Sequence, residues 1–198
     1  MQGGGSVTFI RLWLAGIYNP ARFAEELKGK PAPLWGFAAV AIRFFGTTLT
    51  AGLLAVITHL RPFQASSLTF LPTDVYYRYQ LFFMPVFGLA VWLLMSAVAH
   101  TAMRLTGKRS DFDRVLNIVG MGMLIPMPVV WLWDWTMIGL GTFQLVTMSI
   151  SHSVFQLWEV SVQAICFRRN LGLGVLSAMV LAVGINVIFV LLAMIFVR

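Results

Sequence analysis

Apolar residues in this chain gather into long runs separated by short polar stretches. Five runs stand out, Leu34–Leu60, Gln80–Met103, Val115–Trp133, Phe143–Phe167 and Val175–Val197. Each is close to or above the roughly 20 residues that cross about 30 Å of hydrocarbon at about 1.5 Å per residue. Strands do not fit these runs. An open sheet leaves its edge groups unsatisfied in lipid, and the dyad alternation of a barrel is missing from segments such as Val187–Leu192. The pattern predicts an all-α, polytopic integral membrane five-helix bundle over residues 34–198, preceded by an N-terminal cytoplasmic or interfacial segment over 1–33.

The leading segment contains shorter signals. Met1–Ser6 is glycine-rich and expected to be disordered. Val7–Ile17 is apolar around Arg11 but too short to span, and no Ala-x-Ala cleavage pattern follows it, so it is expected to lie in the head-group plane. Asn19-Pro20 then reads as an N-cap with proline at the first helical position, and Gly29 as the stop. Phe23 and Leu27, at i and i+4, give this short amphipathic helix one apolar face. Two roles fit: a membrane-surface helix that docks a partner or senses lipid, or an anchor packed under the bundle.

Composition agrees with a membrane setting, since 59% of residues are hydrophobic and only 11% charged, against about a quarter charged in soluble domains. Cys166 is the sole cysteine, which excludes an intramolecular disulfide and any cysteine-clustered metal centre. The net charge of +7 resembles a nucleic-acid signature until its placement is followed. Arg11, Arg22, Lys28 and Lys30 precede the first run, Arg104, Lys108, Arg109 and Arg114 lie between the second and third, and Arg168 and Arg169 between the fourth and fifth. The alternate segments hold Arg61, Arg78 and Arg198, and Arg43 lies inside the first run. Ten against three is a positive-inside bias, so the N-terminus is expected in the cytoplasm and the C-terminus outside, in the cell (inner) membrane. Cytoplasmic basic residues meet anionic lipid head groups, which accounts for the charge without nucleic acid. Trp131, Trp133 and Trp135 around Asp134 are expected to form an interfacial belt.

The segment from Asn19-Pro20-Ala21-Arg22-Phe23 to Leu27, the Pro31-Ala32-Pro33 step, and the stretch His100–Phe112 resemble the prokaryotic branch of the Yip1 domain family. So do Val119-Gly120-Met121-Gly122-Met123-Leu124-Ile125-Pro126 and Trp158 with Arg168-Arg169-Asn170-Leu171-Gly172-Leu173. The resemblance implies a five-span bundle with a cytosolic N-terminus. Eukaryotic members are linked to Rab-type GTPases and vesicle traffic. That partner does not carry over to a prokaryotic-type chain lacking their long polar tail, and the family supplies no catalytic residues to transfer.

No hydrolase, metalloprotease or phosphate-loop signature occurs, so the chain is read as a non-enzyme with no cofactor and no metal site. A bis-histidine haem needs partners at matching height, which only His59 and His152 offer. Gly139-x-Gly141 and Gly172-x-Gly174 read as turns. The sharper signal is Ser149, His152, Gln156, Glu159 and Gln163, spaced three, four, three and four apart and so on one helical face. Such a face avoids lipid; it forms either a polar pathway or interhelical hydrogen bonds. Arg43 lies at a depth within about a turn of Glu159, so it either pairs with that carboxylate or snorkels to the head groups. Pro126 and Pro128 should kink or break the third span. Asn117 and Asn186 are placed to bond across the bundle, and Ala178 with Ala182 offers a small-x-x-x-small face for helix contact or self-association. Ser110 is positioned to cap the third helix, with Asp111 and Asp113 in its first turn. Arg104, Lys108, Arg109, Arg168 and Arg169 are the candidate contacts for lipid or a membrane-protein partner. The leading expectation is a protein that acts by binding lipid, itself or a membrane partner; the alternative is a small transporter or channel along the fourth span.

Overall fold

A computed structural model describes residues 8–62, 68 and 70–196. The glycine-rich Met1–Ser6 and the last residue of the fifth run, Val197, lie outside the described residues. Helices are the regular structure of the described residues. Two short ones, α1 (Phe9–Tyr18) and α2 (Pro20–Leu27), lead into α3 (Leu34–Thr47), which passes through a π-helical turn at Thr48–Gly52 into α4 (Leu53–Ile57). There follow α5 (Tyr76–Leu105), α6 (Phe112–Leu124), α7 (Met127–Gly139), α8 (Leu145–Leu171) and α9 (Val175–Phe196).

Four helical segments are long and apolar enough to cross a membrane, Leu34–Ile57, Thr73–Leu105, Phe112–Gly139 and Val175–Phe196. The fifth long helix, α8, has 27 residues, ample length for a span, but its polar stripe lowers its hydropathy. Its two faces divide as an amphipathic span requires: Val146, Ile150, Val154 and Leu157 are exposed, while Glu159 and Gln163 are buried. Together these helices form the helical membrane bundle that the apolar runs called for.

Helix ends follow local chemistry. Asn19 caps α2 by accepting from Arg22 N, and Pro20 sits at the first helical position where its missing donor costs nothing. α6 is capped by Asp111, whose carboxylate accepts from Asp113 N and Arg114 N. The expected Ser110 cap is corrected: the Ser110 hydroxyl is instead 2.9 Å from His100 Nδ1. Gly172 ends α8 with φ +67°, a left-handed position that glycine adopts without a Cβ penalty.

α3 and α6 cross at backbone contact. A Cβ on Gly36 would come 2.4 Å from the Leu116 carbonyl oxygen, and one on Gly120 would come 2.4 Å from the Gly36 oxygen. Asn117 bridges this crossing, accepting from Gly36 N at 2.7 Å and donating to the Pro31 carbonyl at 3.2 Å. Around it, Met95 and Ala99 of α5, Val115 to Leu124 of α6, and Val162, Cys166 and Phe167 of α8 are buried. This end of the bundle, where the basic residues cluster, is filled with side chains. α1 and α2 pack onto it through Leu12, Phe23 and Leu27, all buried, so the apolar face of α2 serves as an anchor under the bundle. Ala178 and Ala182 are also buried within the chain, so that small-residue face is used for close contact inside the bundle. It is not left open for a second copy.

Candidate functional site

The break in the third span comes where proline dictates. Pro126 and Pro128 have no N–H to give to the preceding turn, and α6 ends at Leu124 before α7 starts at Met127. In the last turn of α6, the Met123 carbonyl accepts a hydrogen bond of 2.8 Å from Arg43 Nη1. The same nitrogen is 2.7 Å from Glu159 Oε2. Arg43 is 7% exposed and Glu159 1%. Snorkelling to the head groups is therefore excluded for Arg43. Its guanidinium also lies over the Phe44 and Phe189 rings at 5.4 and 5.0 Å, contacts that favour a desolvated cation.

The carboxylate continues the network. Gln163 Nε2 donates to Glu159 Oε1 at 3.1 Å, and Asn186 Nδ2 donates to Gln163 Oε1 at 2.7 Å. Asn186 Oδ1 in turn accepts from Gln156 Nε2. The network runs from Arg43 to Glu159 and on through Gln163, Asn186 and Gln156, and it ties α3, α6, α8 and α9 together. Gly122 makes room for it: a Cβ there would meet Gln163 Cγ at 2.6 Å. A buried charge pair is tolerated when each partner finds further hydrogen bonds, as Arg43 does at the Met123 carbonyl and Glu159 at Gln163.

Beyond this network towards the far end, the bundle opens. A cavity of about 720 Å³ runs between α3, the π-helical turn, α5, α7, α8 and α9, from Glu159 and Arg43 at its floor to Asp134, His152 and Tyr77. Most of its wall is apolar, with Phe44, Met84, Phe87, Val130, Phe189 and Val190 among the lining residues. Ser149 is exposed on this wall, and His152 is directed at Asp134 of α7, Nε2 to Oδ1 at 3.3 Å. The expected stripe thus divides. Gln156, Glu159 and Gln163 bond into the bundle, while Ser149 and His152 line the cavity. His59 sits beyond the end of α4 in a left-handed turn, and His152 has Asp134 as its neighbour, so the structure does not develop the haem idea.

Asp134, Tyr77 and Thr48 escaped sequence reasoning. Asp134 was absorbed into the tryptophan belt, although an acidic residue inside an apolar helix is itself a signal. Trp131 is corrected out of that belt. Trp133 and Trp135 are exposed, but Trp131 packs over Gly46 and donates to Thr47 Oγ1 at 3.0 Å, inside the bundle. At the basic end, Arg104, Lys108, Arg109, Arg168 and Arg169 are all exposed. Arg169 approaches Glu25 Oε1 at 3.5 Å. The Glu25 carboxyl is held below its usual range, chiefly by the hydrogen bond from Lys28, with partial desolvation opposing and Arg169 assisting. A smaller pocket of about 200 Å³ there mixes Lys28, Lys30 and Arg114 with Asp111 and Asp113, so it presents no single-sign field.

Fold and site together define a helical integral membrane protein with a polar network in its core and an amphipathic cavity above it. The chain belongs to the Yip1 domain family, whose sequence model matches residues 15–197. No curated protein and no solved structure matches it.

Proposed function

We propose that this chain is a non-enzymatic binding protein of the cell (inner) membrane that holds a lipid or other amphiphile in the cavity between α3, α5, α7, α8 and α9. The observation that carries the reading is the cavity itself: about 720 Å³, within the about 300–1,000 Å³ of small-molecule sites, with an apolar wall and a few convergent polar groups. The ten-to-three distribution of basic residues supports an N-terminus in the cytoplasm and a C-terminus outside, which puts the cavity in the outer half of the bilayer. The exposed Arg104, Lys108, Arg109, Arg168 and Arg169 then meet anionic lipid on the cytoplasmic side.

The competing reading, a transporter or channel along α8, draws on the reach of the cavity to Glu159. Below that level Arg43 and Glu159 are bonded to each other and the basic end is packed, which favours a closed binding site over a path. The test is native mass spectrometry of the purified protein after exchange into a defined lipid mixture. Ala193→Trp and Ala51→Trp, which fill the cavity wall, should strip the bound amphiphile while the protein elutes and melts as before. Undiminished amphiphile in both variants defeats the cavity reading, and solute flux in liposomes that the same substitutions block would install the transporter in its place.

A further inference from the structure

The cavity is asymmetric in its charges, and this specifies the kind of head group it takes. On its wall, among the described residues, the ionisable side chains are Arg43 from α3, Tyr77 from α5, Asp134 from α7, and His152 and Glu159 from α8; α9 contributes Phe189, Val190, Ala193 and Met194. Arg43 and Glu159 neutralise each other at the floor. What remains is Asp134 facing His152.

Hydrogen bonds from its own helix orient the imidazole. His152 Nδ1 lies 3.0 Å from the Met148 carbonyl, which only accepts, so Nδ1 carries a hydrogen. The nearby Ser151 hydroxyl already donates to the Thr147 and Met148 carbonyls, leaving it too as an acceptor towards Nδ1. A neutral ring therefore presents a bare Nε2 lone pair to Asp134 Oδ1 at 3.3 Å. The two atoms are close, but no aligned hydrogen bond joins them.

Three polar atoms around the same cavity complete the picture. Asp134 Oδ1, Tyr77 OH and Thr48 Oγ1 are buried and have no aligned hydrogen-bond partner among the described residues, and Asp134 and Tyr77 are 6% and 7% exposed. Tyr77, Phe143 and Phe155 also line the cavity, with the Phe155 ring edge-on to His152 at 6.1 Å. A buried carboxylate oxygen without an aligned partner, on a wall whose arginine is already paired, is complementary to a positive charge. An anionic head group would meet only Arg43, which Glu159 occupies.

We propose that the far end of this cavity binds a lipophilic monovalent organic cation, whose charge faces Asp134. The inference rests on the amphiphile reading above and adds the charge class.

The test uses the full chain in nanodiscs with empty nanodiscs subtracted, and two probes of the same shape and opposite charge, tetraphenylphosphonium and tetraphenylborate. The phosphonium should bind and the borate should not. Asp134→Asn should cost the phosphonium at least about tenfold, and Tyr77→Phe should leave the charge preference intact. Equal binding of both probes, or full phosphonium affinity in Asp134→Asn, overturns the proposal. If Asp134→Asn keeps full affinity while Ala193→Trp loses it, the cavity stands as an amphiphile site and the charge assignment falls. If both variants keep it, the cavity reading falls as well.

Discussion

Removing one member of the Arg43–Glu159 pair leaves the other charge in a desolvated core, and Arg43→Ala or Glu159→Gln should each lower stability by roughly 3–5 kcal/mol. Because neither charge is then stranded, the double variant should lose less than the sum of the singles, as read by thermal unfolding in detergent. Strict additivity would mean that the two groups do not act as a pair. Asn186→Ala should cost about 1–3 kcal/mol, because Gln156 and Gln163 each lose a partner. At the surface, the depressed carboxyl of Glu25 sets the sign of a weaker effect. Its contribution is present above the ordinary carboxylate range and fades as pH falls through and below it. Exposure keeps this small, and faster hydrogen exchange of α2 amides at acid pH is the expected readout.

Among elements, the α3–α6 crossing is the least forgiving contact. Gly36→Ala or Gly120→Ala drives a Cβ into opposing backbone, which cannot rotate away as a side chain does, so each should destabilise by about 1–3 kcal/mol or more. A Gly29→Ala control, with open space around it, should melt unchanged. The spans themselves were legible in sequence because lipid leaves the backbone so few alternatives. The α8 stripe was legible because its period matches the helix, and with it the pairing of Glu159 to Arg43. Asp134 was not, because a carboxylate amid three tryptophans reads equally as interface, and only the cross-helix position of His152 distinguishes the cases. The choice of Asp111 over Ser110 as the α6 cap was likewise hidden: adjacent short polar side chains compete, and the contact to His100 that settles it comes from another helix. Phe143 and Gln144 looked like the start of the fourth span, yet α8 starts at Leu145, because the Gln144 backbone and side chain form a capping box with Thr147.

For the whole molecule, single cysteines at Lys108 and Thr142 in a Cys166-free background should label from opposite sides of the membrane, Lys108 from the cytoplasm. Access to both from outside would reverse or break the proposed orientation. Whichever side it faces, the bundle is uneven along its length, with a filled basic end and a hollow far end that meet at Arg43 and Glu159, and the π-helical turn at Thr48–Gly52 lies on the wall of the hollow. A π turn holds one residue more than an α turn, so the first span is two helical segments set out of phase, by about 100°. Deleting Ala51 would bring them back into step and rotate Leu53–Ile57 about its own axis, carrying the buried Ala55 outward while α3 kept its grip on α6. The width of the hollow is thus governed by residue count in one turn as much as by residue identity.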